Sequence, residues 1–219
     1  MYIKINELEA INLAASKDDT RYYLKGVLIE TYKDGKQGMI ATDGHRLASL
    51  YMQPAEEVAS SYILSTDDAK KIILYGKAES KSIPKNSTDF IAVDIATDDK
   101  ASLTVYIGLF EKTGELVKIL NSFTTKAIDG TYPDWRRTIP QQRDAISGGF
   151  EFNADYMADF GKMAKLLTGL KTPCICVKML GDYRTPLKIE IADCPNFAGV
   201  LMPMVNKKIE FLEFKKVEE

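Results

Sequence analysis

The sequence predicts an α+β fold built from about three successive βαβββ units. An alternating strand, a capping residue and an amphipathic helix recur in that order at three places, and each helix is trailed by strand-like segments. One helix beside a set of short strands, repeated, is the pattern of helices packed on one face of an antiparallel sheet.

The first opening is YIKI, then Asn6 as cap and ELEAINLAAS as helix; the second is YIL, Ser65 and TDDAKKIILYGK; the third is FEF, Asn153 and ADYMADFGKMAKLL. Asn and Ser suit the cap because their side-chain oxygen accepts a first-turn N–H. Glu9 and Asp68, three residues on, place acid where the helix dipole favours it. The strands after the first helix are YYLKGVLIETY, GMIAT and RLASLYM. After the second they are FIAVDIAT, SLTVYI and the run near VKILNSFTTKAI. After the third they are CICVKML, LKIEIA and FAGVLMPM. The units span residues 1–55, 56–140 and 141–219. ESKSIPKNSTD is expected to be a surface loop and PQQRDAISGG, 140–149, the linker. This gives two domains, 1–140 with two units and 141–219 with one unit and a charged tail.

The bulk numbers exclude several classes. At 45% hydrophobic and 27% charged, the composition is that of an ordinary globular protein. No apolar run approaches the ~20 residues of a membrane span, and MYIKINELEA is no signal peptide, so a cytoplasmic protein is expected. Three cysteines, Cys174, Cys176 and Cys194, form no disulfide framework. A net charge of −2 argues against a surface that coats nucleic acid, while leaving room for a local basic face.

The one histidine, His45, lies in ATDGHRL beside Asp43. Asp-Gly between two strand-like runs is a hairpin signal that puts Asp43 and Gly44 in a tight turn and His45 at the start of the return strand. A hydrolase using Asp43 and His45 lacks a nucleophile, for there is no G-x-S-x-G. Zinc lacks ligands: one His and a Cys174-x-Cys176 pair miss the usual spacing, and the two cysteines read as buried small apolar groups on one strand face. No phosphate loop, dinucleotide fingerprint or calcium-loop spacing is present. No enzyme, metal or cofactor is expected.

Two apolar motifs remain. TYPDWRRTIP, 131–140, sets the only Trp against Arg136 and Arg137. It reads as a rigid connection with Trp135 buried and one Arg paired, or as part of a binding surface. FAGVLMPMV, 197–205, reads as a buried edge strand, because Pro203 cannot donate to a central ladder, or as a Met-lined peptide groove.

RYYLKGVLIE, ATDGHRLA, DGTYPDWRRTIP and VLMPM, in that order, resemble segments of the bacterial β sliding clamp family, the processivity subunit of DNA polymerase III. That resemblance implies the DNA-clamp fold, whose βαβββ units agree with the repeat. It also implies a non-enzymatic role: holding polymerase and clamp-loader-type proteins through short linear peptides on duplex DNA, in a homo-oligomer, with no membrane.

The same resemblance implies a peptide pocket. Its wall is Leu24, Thr42, Gly44, His45, Arg46 and Leu47, then Pro133, Arg137 and Thr138, then Val200, Leu201, Met202, Pro203 and Met204; Thr138 stands where the family usually has an aliphatic residue. Aliphatic and Met walls give apolar burial, and Arg46 and Arg137 are expected to orient the peptide's polar groups. For DNA it implies Arg21, Tyr22 and Tyr23. The helix cations Lys70, Lys71, Lys77, Lys162 and Lys165 are phosphate candidates or a solvated face. The first helix, with Glu7 and Glu9, is a poor DNA surface.

Family members have six units per chain and close as a dimer; this chain has about three, matching the middle domain and the second half of the last. A clamp mimic that binds the peptides without encircling DNA is therefore an alternative. IEFLEF, 209–214, loosely resembles a clamp-binding peptide and is a candidate to dock in a pocket.

Overall fold

The computed structural model describes residues 2–51, 58–84, 87–97, 102–139, 151–181 and 184–204. The first unit is β1 (Ile3–Lys4), α1 (Ile5–Asn12), β2 (Gly26–Tyr32), β3 (Gln37–Thr42) and β4 (Arg46–Leu50). The second is β5 (Val58–Ser65), α2 (Thr66–Ser80), β6 (Phe90–Thr97), β7 (Ser102–Phe110) and β8 (Leu116–Lys126). The third is α3 (Ala154–Thr168), β9 (Ile175–Lys178), β10 (Leu187–Ile191) and β11 (Cys194–Leu201). The α+β expectation holds. The linker 140–149 and the tail 207–219 lie outside the described residues.

All strand pairs are antiparallel, in a four-stranded sheet β1-β6-β7-β8 and a seven-stranded sheet β5-β2-β3-β4-β11-β10-β9. The first two units exchange opening strands: β1 crosses to β6, and β5 crosses to β2. The third joins the first along β4 and β11, where Leu47 faces Val200 and Arg46 faces Leu201.

The three helices pack on one face of each sheet, in one core that includes Leu8, Ile11, Ile72, Phe160 and Met163. Because strand side chains alternate, β2 sends Val27 and Ile29 into that core and Leu28 to the opposite face. There Leu28, Ile40, Leu47, Ile63, Trp135 and Val200 form a second cluster, covered by Ile128, Tyr132 and Ile139. Apolar burial on both faces is why β2 reads as a continuous hydrophobic run.

Two caps are as expected: Ser65 accepts from the Asp68 N–H, and Asn153 from those of Asp155 and Tyr156. Asp68 also accepts from the Ser65 and Thr125 hydroxyls at 2.7 and 2.8 Å, tying α2 to β8. Burial alone would raise its pKa, but hydrogen bonds from Ser65, Thr125 and Lys71 outweigh it and hold the carboxyl below its usual range.

Five local expectations are corrected. Asn6 is not a cap: the helix starts at Ile5, and the Asn6 amide donates to the Leu166 carbonyl at 2.7 Å, joining α1 to α3. Residues 19–24 form a 3-10 turn, so β2 begins at Gly26, not at Tyr22. β11 is central rather than an edge; Pro203 falls beyond its end, where no ladder bond is lost. Cys174 and Cys176 are exposed, because β9 is the sheet edge. Finally, residues 151–153 form no strand; a strand needs a partner, and the opening strands of the first two units each find theirs in the other unit, on β6 and β2.

Candidate functional site

The ATDGHRL turn is built by its own side chains. Asp43 Oδ1 accepts from the His45 and Arg46 N–H groups at 2.9 and 3.0 Å, and Thr42 Oγ1 accepts from the Gly44 N–H and donates to the Arg46 carbonyl. Gly44 has φ +90°, a left-handed position in which a β-carbon would also strike the Arg21 guanidinium. The return strand starts at Arg46, leaving His45 exposed as the last turn residue. Its carbonyl accepts from the Met202 N–H at 2.9 Å, which binds the turn to the chain leaving β11.

Arg46 points the other way. It is 5% exposed; Nη1 reaches Asp159 Oδ2 at 2.5 Å, Nη2 the Leu13 carbonyl at 2.7 Å and Nε Asp43 Oδ2 at 3.2 Å. Its guanidinium lies 4.4 Å from the Tyr156 ring centre, and His45 stacks on that ring with centroids 6.4 Å apart. The expectation that Arg46 orients a peptide is corrected: its donors are used inside the protein, on the helix side of the sheet. Leu201, its register partner, belongs to the same inner core. Burial would raise the Asp159 pKa, but hydrogen bonds from Lys162 and Arg46 hold the carboxyl below its usual range.

The PDWRR segment is latched to the outer face. Glu30, 5% exposed on β2, accepts from Trp135 Nε1 at 3.3 Å, Tyr32 Oη at 3.0 Å and Arg136 at 3.0 and 2.7 Å. Arg136 also stacks over Trp135 at 4.4 Å. The rigid-connection reading is therefore right for Trp135 and Arg136. Arg137 differs, its side chain 85% exposed and paired only with Asp134 at 2.8 Å among the described residues. Thr138 Oγ1 closes the turn on the Trp135 carbonyl.

The expected pocket residues thus fall into three groups. Leu24, Leu47 and Val200 are buried, the last two in the outer cluster as a floor. Gly44, His45, Pro133, Arg137, Thr138, Met202 and Met204 are exposed; Thr42 and Pro203 are half-buried. Arg46 and Leu201 face inward. Tyr132, missed as a site residue, is half-buried beside the Thr42–Asp43 turn, and desolvation pushes its phenol pKa up. Tyr156 and Asp159, also missed, come from α3.

The nucleic-acid candidates are less well gathered. Arg21, Tyr22 and Tyr23 share the 3-10 turn, with Tyr22 54% exposed and edge-on to Tyr23. Four of the five lysines meet acids: Lys70 with Asp67, Lys71 with Asp68, Lys77 with Glu9 and Lys162 with Asp159. Lys165 lies exposed near the end of α3. α1 carries carboxylates only, and α2 and α3 each carry as many acids as lysines. No group of residues suited to hold a metal occurs among the described residues, and no described helix is long and apolar enough to cross a membrane.

Strand-exchanged βαβββ units with helices on one face of each sheet define a protein of the sliding-clamp class. Residues 4–134 match the model of the DNA polymerase III beta subunit, central domain, and the chain belongs to that family. It is 28% identical to the beta sliding clamp of Pseudomonas putida over 146 residues, 65% of this chain and 33% of the relative. Against that of Escherichia coli K12 it is 28% identical over 138 residues, 63% of this chain and 31% of the relative. The chain thus spans about a third of the length of the curated relatives it matches. Among solved structures, a Bartonella birtlesii sliding clamp bound to griselimycin has TM-score 0.65 at 20% identity, covering 94% of this chain and 66% of that one. The beta subunit of Thermotoga maritima has TM-score 0.62 at 17% identity, covering 94% and 65%. At such identities the likeness shows the fold alone.

Proposed function

We propose that the chain is a non-enzymatic, clamp-like replication protein of the cytoplasm. In this reading it holds short linear peptides of a DNA polymerase and of loader-type proteins at the seam of β4 and β11, associates with duplex DNA, and works with further copies of itself. Residues 1–140 then form a whole clamp-like domain and residues 141–219 half of another.

One observation carries the reading. The His45 turn is hydrogen-bonded to the chain at Met202, so exposed His45, Met202 and Met204 adjoin the apolar patch of Leu47, Val200 and Trp135, with Pro133 and Arg137 in the segment laid over it. Apolar walls with a few polar groups at the rim suit an extended peptide with leucine and phenylalanine anchors. Arg137, exposed, remains the cation for its polar groups.

The test is fluorescence anisotropy of a labelled peptide with those anchors. Met204→Ala is expected to weaken binding about tenfold and His45→Ala less, the scale of truncating one interface anchor. Equal affinity of the wild type and both variants would overturn the groove.

The paired helix lysines favour a second reading, a clamp mimic that binds the peptides without encircling DNA. A protein that neutralises phosphates loses affinity steeply with salt. Binding to duplex DNA that falls with salt supports the first reading; no binding at low salt selects the mimic. A hydrolase built on Asp43 and His45 has no support, since the Asp43 carboxylate is spent on the turn and on Arg46.

A further inference from the structure

The first two units complete each other. β5 lies against β2 with Leu64 facing Val27 and Ile63 facing Leu28, and β1 lies against β6 with Ile3 facing Val93. In both cases the added strand pairs with the strand that follows the sister unit's helix.

The third unit repeats this order, and its opening residues occupy the same place. Ile63 stands three residues before the start of α2, and its carbonyl accepts from the Ile128 N–H, just past β8, at 2.9 Å. Glu151 stands three residues before the start of α3, and its carbonyl accepts from the Met204 N–H, just past β11, at 2.7 Å. Ser65 and Asn153 then cap the two helices in the same way. Residues 151–153 therefore sit as β5 sits, with one edge used and, among the described residues, no sister strand on the other.

The exposures record what is missing. Phe152 is 37% exposed, whereas its counterparts Leu64 and Ile3 are 0% and 3% exposed. β9, the counterpart of β2 and β6, has β10 on one side only among the described residues, with Val177 on it and Met179 just past its end 41% and 47% exposed. An open apolar edge of this kind is a template for another strand. Among the described residues no fourth unit supplies it: residues 127–139 are laid across the outer sheet face, and the stretch 140–150 is far shorter than any βαβββ unit here.

We propose that the third unit is completed by the third unit of a second copy, in a two-fold dimer where residues 151–153 of each chain add to the outer edge of β9 of the other. A second copy is the occupant because the missing piece must offer both an opening strand before a helix and a free strand after it. The third unit offers both, in the arrangement by which the first two units pair. Two-fold symmetry satisfies both edges in one step and leaves neither to propagate. By the register of β5 on β2, Phe152 falls on the core-facing side opposite Ile175 of the second copy, with Glu151 opposite Cys176, and Phe152, Ile175 and Val177 become buried.

Light scattering of the full chain is expected to give a dimer mass. Val177→Asp and Phe152→Asp, which put a charge into the paired edge, should each raise the dissociation constant about tenfold or more, with circular dichroism unchanged. Glu151→Cys should give a disulfide-linked dimer on a non-reducing gel that Cys176→Ser abolishes. A monomer at every concentration overturns the proposal, as does a dimer indifferent to both charges and lacking the cross-link. Because Val177 is no part of the peptide groove, Val177→Asp should bind the labelled peptide as wild type does, so failure of the dimer and failure of the groove are read separately.

Discussion

Arg46, on the inner face of the seven-stranded sheet, and Arg136, on its outer face, each meet a carboxylate more than a hundred residues away in sequence. Their surroundings differ. Arg46 is 5% exposed and joins two units, with Asp43 from the first and Asp159 and Tyr156 from the third. The Arg136 side chain is 30% exposed and holds a connecting segment to Glu30, which keeps Trp135 and Tyr32 as further donors. A buried charge that loses its partner has nothing to replace it, whereas water can enter a half-open pair. The inner joint is thus the costlier of the two to break.

Arg46→Ala breaks that joint most directly. It removes the guanidinium from Asp159 Oδ2, Asp43 Oδ2 and the Leu13 carbonyl, and a loss of about 3–5 kcal/mol in denaturant unfolding is expected. Arg136→Ala should cost about 2 kcal/mol, as for a hydrogen bond to a charged group, because Glu30 keeps two donors and gains access to water. If the two variants lose stability equally, the contrast between inner joint and outer latch is wrong.

The two arginines also mark how far the sequence could be read. The βαβββ repeat, the Ser65 and Asn153 caps and the Asp-Gly turn are local: each follows from residues within a few positions, and the structure contains each, save the opening strand of the third unit. The four motif segments were legible as a set, and three of them meet where β4 joins β11. The direction of Arg46 was not legible, because it depends on Tyr156 and Asp159, which sequence spacing separates by more than a hundred residues. Asn6 looked like a cap for the same reason: its partner, the Leu166 carbonyl, is remote. Cys174 and Cys176 read as buried because a strand pattern says which face a residue is on but not whether the sheet continues past it.

The smallest expected effect sharpens the comparison through pH. Hydrogen bonds from Lys162 and Arg46 hold the Asp159 carboxyl below its ordinary pKa despite burial. A carboxyl with a folded pKa below its unfolded value stabilises the fold above the unfolded value, about 3.9 for Asp, and loses that contribution as pH falls through the folded value. The third unit should therefore loosen from the first below about pH 4, and α3 amides should exchange faster there than near neutrality. Asp159→Asn removes the titrating group, so its α3 exchange should be faster than wild type at neutral pH and respond less to acid. Asp68, also held low, ties α2 to β8 within the second unit. Asp68→Asn should leave the acid response of α3 as in the wild type. If it flattens that response as much as Asp159→Asn does, acid acts on the whole fold, and the inner joint has no titration of its own.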